Sequence, residues 1–459
     1  MRALSLLSKI KRSLVIISKW EYTPLCLLII MMLVMHFATI MQPRSMTFDE
    51  KYYIPAAKSI LHGESLGEIE HPPLGQTIIA SGIWIFGDNP FGWRFFSIIS
   101  GAVALILFYL ICRELKLSKY NTLLATTLLA IDNLSFVQSS IATLDVFCLT
   151  FMFASAWFYL KKKYIGAGIF VGLATVSKLS GVFALLFITI HWLVTNRKNI
   201  KGMAVTAVTS ALSFLTSLFL LDFAILHKIP NLVDRIHMML HLTQSLTFTY
   251  AHQYLLGPNE MPSSRPWEWL YNLNGSSFGG FDKIKDQFVV FYVMVINPAI
   301  WILIIPSILF LSYLVFKHNK AALFSLCWFA ATYIIWIPIT LITNRLTYNY
   351  YFYPAIGAIC VGIALLFSRV NVLRSNSSIL KSAQRLIIPL YLGVSILFFI
   401  ILFNSGNIWF RAVWAIILFI MTLYYLDKFT PEESISYKSL SPINVTHDKT
   451  NLPGTQTYP

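Results

Sequence analysis

Long apolar runs alternate with short polar segments from residue 23 to residue 426. Roughly 20 apolar residues carry a helix across a bilayer, and the first run, 23–41, just suffices. The run comes without a small-residue cleavage site, so the pattern predicts a retained helix and not a signal peptide. Segment 44–91 is too polar and too interrupted to span and predicts helices lying on the membrane surface. Further spans are expected at 93–111, 121–130, 137–160, 203–224, 288–316, 321–341, 352–367, 386–403 and 408–426. Two more short helices are expected within 165–194, on either side of a turn at Lys178. The sum is about twelve crossings, with a long polar segment at 225–287 and a Ser-, Thr-, Pro- and Asn-rich tail at 427–459 that has little to bury and reads as disordered. No heptads, solenoid period or nucleotide-binding glycine loop interrupts this pattern.

Composition agrees: 57% of residues are hydrophobic and 12% charged, against about a quarter charged in soluble domains. The chain reads as an all-α polytopic membrane protein, with a basic N-terminus over 1–22, a membrane domain over 23–426 and the tail. A net charge of +15 would suggest nucleic acid in a soluble chain. Here the cations sit in short loops between apolar runs (Arg2, Lys9, Lys11, Arg12 and Lys19; Arg113, Lys116 and Lys119; Lys161 to Lys163; Arg369, Arg374, Lys381 and Arg385), which is the positive-inside signature and excludes a nucleic-acid partner. Loops 42–92 and 225–287, Lys178 and Arg345 then face outward, and function is expected there. The five cysteines lie in or beside apolar runs without a CxxC pair, so neither a disulfide framework nor a thiolate metal site is expected.

Against this apolar background the segment Thr47-Phe48-Asp49-Glu50 stands out. Its spacing fits a capping box, with both acids near a helix N-terminus; a cap on Glu50 would leave Asp49 directed elsewhere, as a catalytic base is held. Pro55 predicts a kink or restart two turns later. His71-Pro72-Pro73 after Glu70 suits the start of a helix. Arg94 reads either as a snorkelling interfacial cation or as a bidentate phosphate ligand. Asp132 and Asp145 border spans, Asp145 being the more embedded, and Lys178 in an apolar stretch invites an anionic partner. Arg345 is a second outward cation. His227, His237, His241 and His252 lack metal-site spacing, Arg265-Pro266-Trp267-Glu268-Trp269 looks like an aromatic anchor, and Asn274-Gly275-Ser276 is a glycosylation sequon.

Phe48-Asp49-Glu50, Glu70-His71-Pro72-Pro73-Leu74-Gly75-Gln76, Gly92-Trp93-Arg94, Ile131-Asp132-Asn133, Ile141-Ala142-Thr143-Leu144-Asp145 and Ser177-Lys178-Leu179-Ser180-Gly181 occur in this order. Together they resemble the protein O-mannosyltransferases, integral membrane glycosyltransferases of the C superfamily (GT-C). Arg265-Pro266-Trp267-Glu268-Trp269, Asn297-Pro298 and Tyr350-Tyr351-Phe352-Tyr353-Pro354 are similar to further family landmarks. The resemblance, over roughly 40–360, departs at Gln76, where the family has lysine, and in a long loop too short for the β-trefoil domain of eukaryotic members. It implies a prokaryotic plasma-membrane enzyme that moves mannose, with inversion, from a polyprenyl phosphate to Ser or Thr hydroxyls of exported proteins at the extracytoplasmic face. Its partners would be the lipid-linked sugar donor, a protein or peptide acceptor and membrane lipid. The resemblance fixes no cofactor and leaves a divalent cation open. The roles expected on this reading are Asp49 as base, Glu50 positioning the site or pairing with Arg94, Arg94 with Arg345 or Lys178 on the donor phosphate, and His71, Glu70 and Asp145 as supporting groups. Related enzymes that transfer aminoarabinose share the acidic motif; a lipid-linked-sugar transporter is a rival of another class, although no inverted repeat is visible.

Overall fold

The computed structural model describes residues 21–250, 263–273, 276–282, 287–372, 378–403 and 408–429. The basic residues of segment 1–20, Arg374, His252, Asn274-Gly275 of the sequon and tail residues 430–459 lie outside them. The described chain is predominantly helical. Helix α1 is Thr23–Thr39, α2 Glu50–Leu61, α3 Leu74–Phe86, α4 Pro90–Glu114, α5 Lys119–Ala130, α6 Asn133–Ser140, α7 Leu144–Leu160 and α8 Tyr164–Ser177. Then come α9 Phe183–Thr195, α10 Ile200–Leu226, α11 Leu232–Ser245, α12 Ile304–Phe316, α13 Lys320–Phe329, α14 Trp336–Thr343, α15 Ile356–Val372, α16 Ser378–Leu402 and α17 Ile408–Lys428.

Asn and Asp side chains start many of these helices by accepting the orphan N–H groups of the first turn. Asn89 Oδ1 accepts from Phe91 and Gly92 before α4, with Pro90 at the first helical position. Asp132 caps α6, Asn199 α10, Asn231 α11 and Asn319 α13 in the same way.

Among the described residues, five helices are long and apolar enough to cross a membrane by themselves: Pro90–Glu114, Ile200–Leu226, Lys320–Thr343, Asn349–Arg369 and Ile408–Lys428. The α6–α7 pair is a sixth, bent by 111° at a short break. Shorter apolar helices, including Thr23–Thr39, Tyr164–Ser177, Leu179–Thr195 and Leu386–Leu402, make up the rest of the apolar pattern.

Three sequence expectations change. The run 137–160 is broken at Ile141-Ala142-Thr143, and that break reaches the functional site. The start of the expected span 288–316 is not helical: Gln287–Met294 is a strand, paired antiparallel with Ser276–Asp282 from Ser276↔Met294 to Asp282↔Gln287, with a bulge at Phe278/Gly279. Its Val-, Phe- and Tyr-rich composition suits a pleated strand as well as an apolar helix, so hydropathy alone cannot separate them, and among the described residues the class is all-α except for this hairpin and a Thr247–Arg345 bridge. Finally, α2 runs through Pro55 without restarting; Lys51 and Pro55 are both exposed, so the carbonyl that Pro55 cannot serve lies on the outer side.

The core lies between α1, α4, α5, α7, α13, α15 and α16. Phe136 stacks on His36 (4.1 Å) and meets the edges of Phe399 (5.0 Å) and Phe403 (4.9 Å). Asn297 ties this centre together: its N–H donates to Asp132 Oδ1 (2.8 Å), and its amide donates to Ser395 O (2.8 Å) and Ile131 O (3.2 Å). Asp132 is thus satisfied by backbone donors within the fold. Helix α8 packs against α7 on one side and α10 on the other. Gly168 and Gly172, four residues apart, bring α8 close to Thr206, Thr209 and Ser213 of α10, which is the small-residue route to helix association in lipid.

A Cβ on Gly172 would lie 2.5 Å from Ser213 Cβ and 2.7 Å from the Phe214 nitrogen. Gly172→Ala is therefore expected to lower the stability of the detergent-solubilised protein by about 1–3 kcal/mol, the usual cost of overpacking. A melting curve matching the parent's would refute this close contact.

Candidate functional site

The Asp49-Glu50 motif is mounted by a fully buried ion pair. Glu50 and Arg94 are both 0% exposed. Arg94 Nε donates to Glu50 Oε1 at 2.7 Å and Nη2 to Oε2 at 2.8 Å, a bidentate fork. The same carboxylate accepts from the Ala142 N–H (2.9 Å), at the break between α6 and α7, and from the Thr47 N–H (3.0 Å). The latter bond is half of the expected capping box; the other half, a Thr47 side-chain cap, is not made, and the Glu50 N–H donates to the Thr47 carbonyl instead. Between them Phe48 adopts φ +52°, which L side chains rarely take. Its ring packs edge-on against Tyr350 at 5.1 Å.

This arrangement corrects the reading of Arg94 as a phosphate ligand. Its Nη1 donates to the carbonyls of Ile40 and Pro43, both at 2.9 Å, and Nη2 also to that of Ser45 at 3.4 Å. All five guanidinium donors therefore serve the loop that carries the motif. The other two cations, Lys178 and Arg345, are placed differently. Lys178, at the end of α8, is 8% exposed and donates to both Asp145 oxygens at 2.8 Å. Its ammonium also lies over the rings of Tyr350 (5.5 Å) and Tyr351 (5.3 Å), a cation–π setting. Arg345 is half-buried, and its Nη1 donates to the Thr243 carbonyl.

Asp49 precedes α2, partly buried, and among the described residues its carboxylate accepts no hydrogen bond. Burial pushes its pKa up to about 7; Lys178 opposes that rise, while Asp145 and Glu70 add to it. Such a carboxyl is poised to take a proton near neutral pH. Glu70 is held above the usual carboxylate range by burial, opposed by Arg345. His71 lies 3.6 Å from Glu70 Oε1 and edge-on to Tyr53 at 5.7 Å. Burial, with Lys178 and Arg345 adding, lowers its pKa to about 3, so His71 is neutral at pH 7 and its contact with Glu70 is not an ion pair.

The structure thus brings Asp49, Glu70, His71, Asp145, Lys178 and Arg345 within one another's electrostatic reach and places Glu50 and Arg94 in the frame beside them. Gln76, where the family has lysine, closes the turn before α3: it accepts from the Glu68 N–H (2.8 Å) and donates to the Glu68 carbonyl (3.1 Å). Gly75 lets the same helix start against α7 and α8, since a Cβ there would lie 2.7 Å from Leu144 Cδ2 and 3.1 Å from the Ser177 carbonyl. Trp269 is 2% exposed and bonds Ser264, so it belongs to the core and not to a surface anchor, while Trp267 stays exposed. His237 and His241 stack along α11, and among the described residues no group of three or more His, Cys, Asp or Glu side chains is arranged for a metal ion. Sequence reading missed the buried Asp222–Arg235 pair (3.2 Å), although an acid inside the apolar run 203–224 was a signal for it.

Residues 70–221 match the family model described as dolichyl-phosphate-mannose-protein mannosyltransferase. The polyprenol-phosphate-mannose--protein mannosyltransferase of Mycolicibacterium smegmatis is 32% identical over 183 residues, covering 32% of this chain and 36% of that protein. The protein of the same name from Mycobacterium tuberculosis is 26% identical over 404 residues, covering 70% of this chain and 76% of its own length. The chain therefore spans little more than a third of the first relative and about three quarters of the second. Among solved structures, the S. cerevisiae protein O-mannosyltransferase Pmt1-Pmt2 complex bound to the sugar donor shares the fold at TM-score 0.65 and 12% identity, covering 84% of this chain and 90% of that chain.

Removing one partner of a buried ion pair strands the other and typically costs about 3–5 kcal/mol. Arg94→Ala is accordingly expected to lose that much stability, seen as a lower unfolding midpoint and yield in detergent. A stable Arg94→Ala protein with only a raised Michaelis constant for a lipid-phosphate substrate would restore the phosphate-ligand role.

Proposed function

We propose that this chain is a protein O-mannosyltransferase, like the matched family model and the mycobacterial relatives, and that it transfers mannose from a polyprenyl phosphate to Ser or Thr hydroxyls of exported proteins. The observation that carries this reading is Asp49: a partly buried carboxylate without a hydrogen-bond donor, fixed by the adjoining Glu50 lock and facing the Lys178–Asp145 pair. A base one residue from a rigid mount holds its position without being consumed by the mount.

In the proposed step, Asp49 takes the acceptor hydroxyl proton while the hydroxyl oxygen bonds to the anomeric carbon. The bond from that carbon to the phosphate oxygen breaks, and polyprenyl phosphate leaves with the electron pair. Phosphate leaves readily, so the site needs cations for the departing charge and no general acid. Lys178 can supply one, because two of its N–H groups hold Asp145 and among the described residues the third makes no hydrogen bond, only the ring contacts to Tyr350 and Tyr351. Arg345 is the second cation. Base and leaving group then lie on opposite faces of the sugar, which inverts the anomeric carbon, as in inverting glycoside chemistry.

Orientation and location are part of the proposal. With the basic loops inside, Asp49 and the long loop would face the extracytoplasmic side of a prokaryotic plasma membrane, and the cation-rich short loops support that reading. Counting the shorter apolar helices as crossings brings the total toward about twelve, with α2 and α3 along the outer surface.

Asp49→Asn should lower transfer of labelled mannose from polyprenyl phosphate to a Ser/Thr peptide by about 10²- to 10⁴-fold, the usual worth of a positioned base. Unchanged transfer would reject the role. The base must be ionised, so the rate should rise with pH through about 7 and fall away on acidification. Because Glu70 adds to the upward shift of Asp49, Glu70→Gln should move this acid limb to lower pH. Mass spectrometry of exported proteins with and without the gene tests sugar and acceptor together. Loss of a lipid modification, with Ser/Thr hexose unchanged, would favour aminoarabinose-type transfer instead.

A further inference from the structure

We propose that Arg235 is a positioning residue: braced on Asp222, its guanidinium fixes the turn that presents Glu70 and His71 to the Asp49 site, and α11 thereby ties the two sides of that site together. The inference rests on Asp49 being the base. Arg235 is 6% exposed and Asp222 is 0% exposed. Arg235 Nε donates to Asp222 Oδ2 at 3.2 Å, Nη1 to the Ile69 carbonyl at 2.5 Å and Nη2 to the His71 carbonyl at 3.2 Å.

Burying such a pair is costly and by itself rarely stabilising. Among the described residues the second Asp222 oxygen has no partner, so the pair is not arranged to satisfy the acid fully. What the geometry does achieve is specific. The fork holds the 69–70 and 71–72 peptide units, one on each side of the Glu70-His71 pair, so the segment that carries both side chains is pinned at its two ends. Gln76 holds the same turn from within through the two Glu68 bonds. Further along α11, the Thr243 carbonyl receives Arg345, the cation whose field opposes the upward shift of Glu70 and adds to the downward shift of His71. One helix of the long loop therefore sets both the acid side and the cation side of the site.

The groups facing Asp49 are Lys178, Asp145 and Glu70, together with Tyr53 and Tyr350; those facing Glu70 are Arg345, Glu68 and His71. Of these, the Glu70 turn is the one that Arg235 controls directly. Loosening it should act on Asp49 as removal of Glu70 does.

The test compares the native protein with Arg235→Lys, which keeps the charge but cannot span both carbonyls, and with Asp222→Asn, Glu70→Gln and the Arg235→Lys/Glu70→Gln double variant. Hydrogen exchange is read at the Glu68 and His71 amides, and mannose transfer is followed against pH. Arg235→Lys and Asp222→Asn should speed exchange at this turn about ten-fold or more while the rest of the fold stays protected. Each should lower kcat about 10- to 100-fold, the scale of a misplacement of about an ångström. The acid limb should move to lower pH as in Glu70→Gln, and the double variant should show no further movement, because both changes act through one group. Unchanged exchange, a loosened turn with native kcat and acid limb, or limb shifts that add would each overturn the proposal. If the native chain transfers no mannose, the transferase reading falls, and unchanged exchange in Arg235→Lys remains the separate result that would overturn the brace.

Discussion

The carboxylate of Glu50 sits in a closed ring of donors: a guanidinium fork from α4, a backbone N–H from the α6–α7 break and another from the loop ahead of α2. Three parts of the chain, far apart in sequence, meet at two oxygens. Inside a low-dielectric fold these bonds stand or fall together, since losing one donor leaves the others around an under-satisfied charge. The segment between α1 and α2, which has no helix of its own, is held by this ring. Asp49 inherits its place from it, because the residue beside a locked carboxylate has little freedom to wander.

The second constraint is electrostatic. Lys178 is neutralised along one side by Asp145 and flanked by Tyr350 and Tyr351, so it meets the site as a partly compensated cation. A bare ammonium there would hold Asp49 firmly ionised and weaken it as a base. In the proposed reaction, a missing one would leave the departing phosphate unopposed. The observed balance, with Asp49 lifted to about 7 despite the lysine, lies between these extremes.

Much of this was legible in the sequence, and the exceptions have a common origin. Helix placement followed hydropathy well where apolar runs were long, as at Pro90–Glu114 and Ile408–Lys428. It failed at Gln287–Met294, where the same aromatic and β-branched residues serve a strand. The acidic motif, the His71 turn and Lys178 announced themselves as polar residues in apolar surroundings. The role of Arg94 was half legible: its pairing with Glu50 was one reading, but a phosphate-binding arginine and a carboxylate-locking one look alike until their partners are known. The Asp222–Arg235 pair was hidden for a related reason: its meaning depends on the carbonyls of Ile69 and His71, and carbonyls carry no residue identity.

The bond from the Ala142 N–H to Glu50 carries that point further. A main-chain donor is supplied by any residue except proline, so most substitutions at this position would leave the contact chemically intact. Mutational scans and the natural drift of residue identity would register the small side chain and pass over the amide. The part of the ring that joins the acidic motif to the bent α6–α7 pair is therefore nearly silent to genetics, and a proline or a backbone ester at residue 142 is what would make it speak.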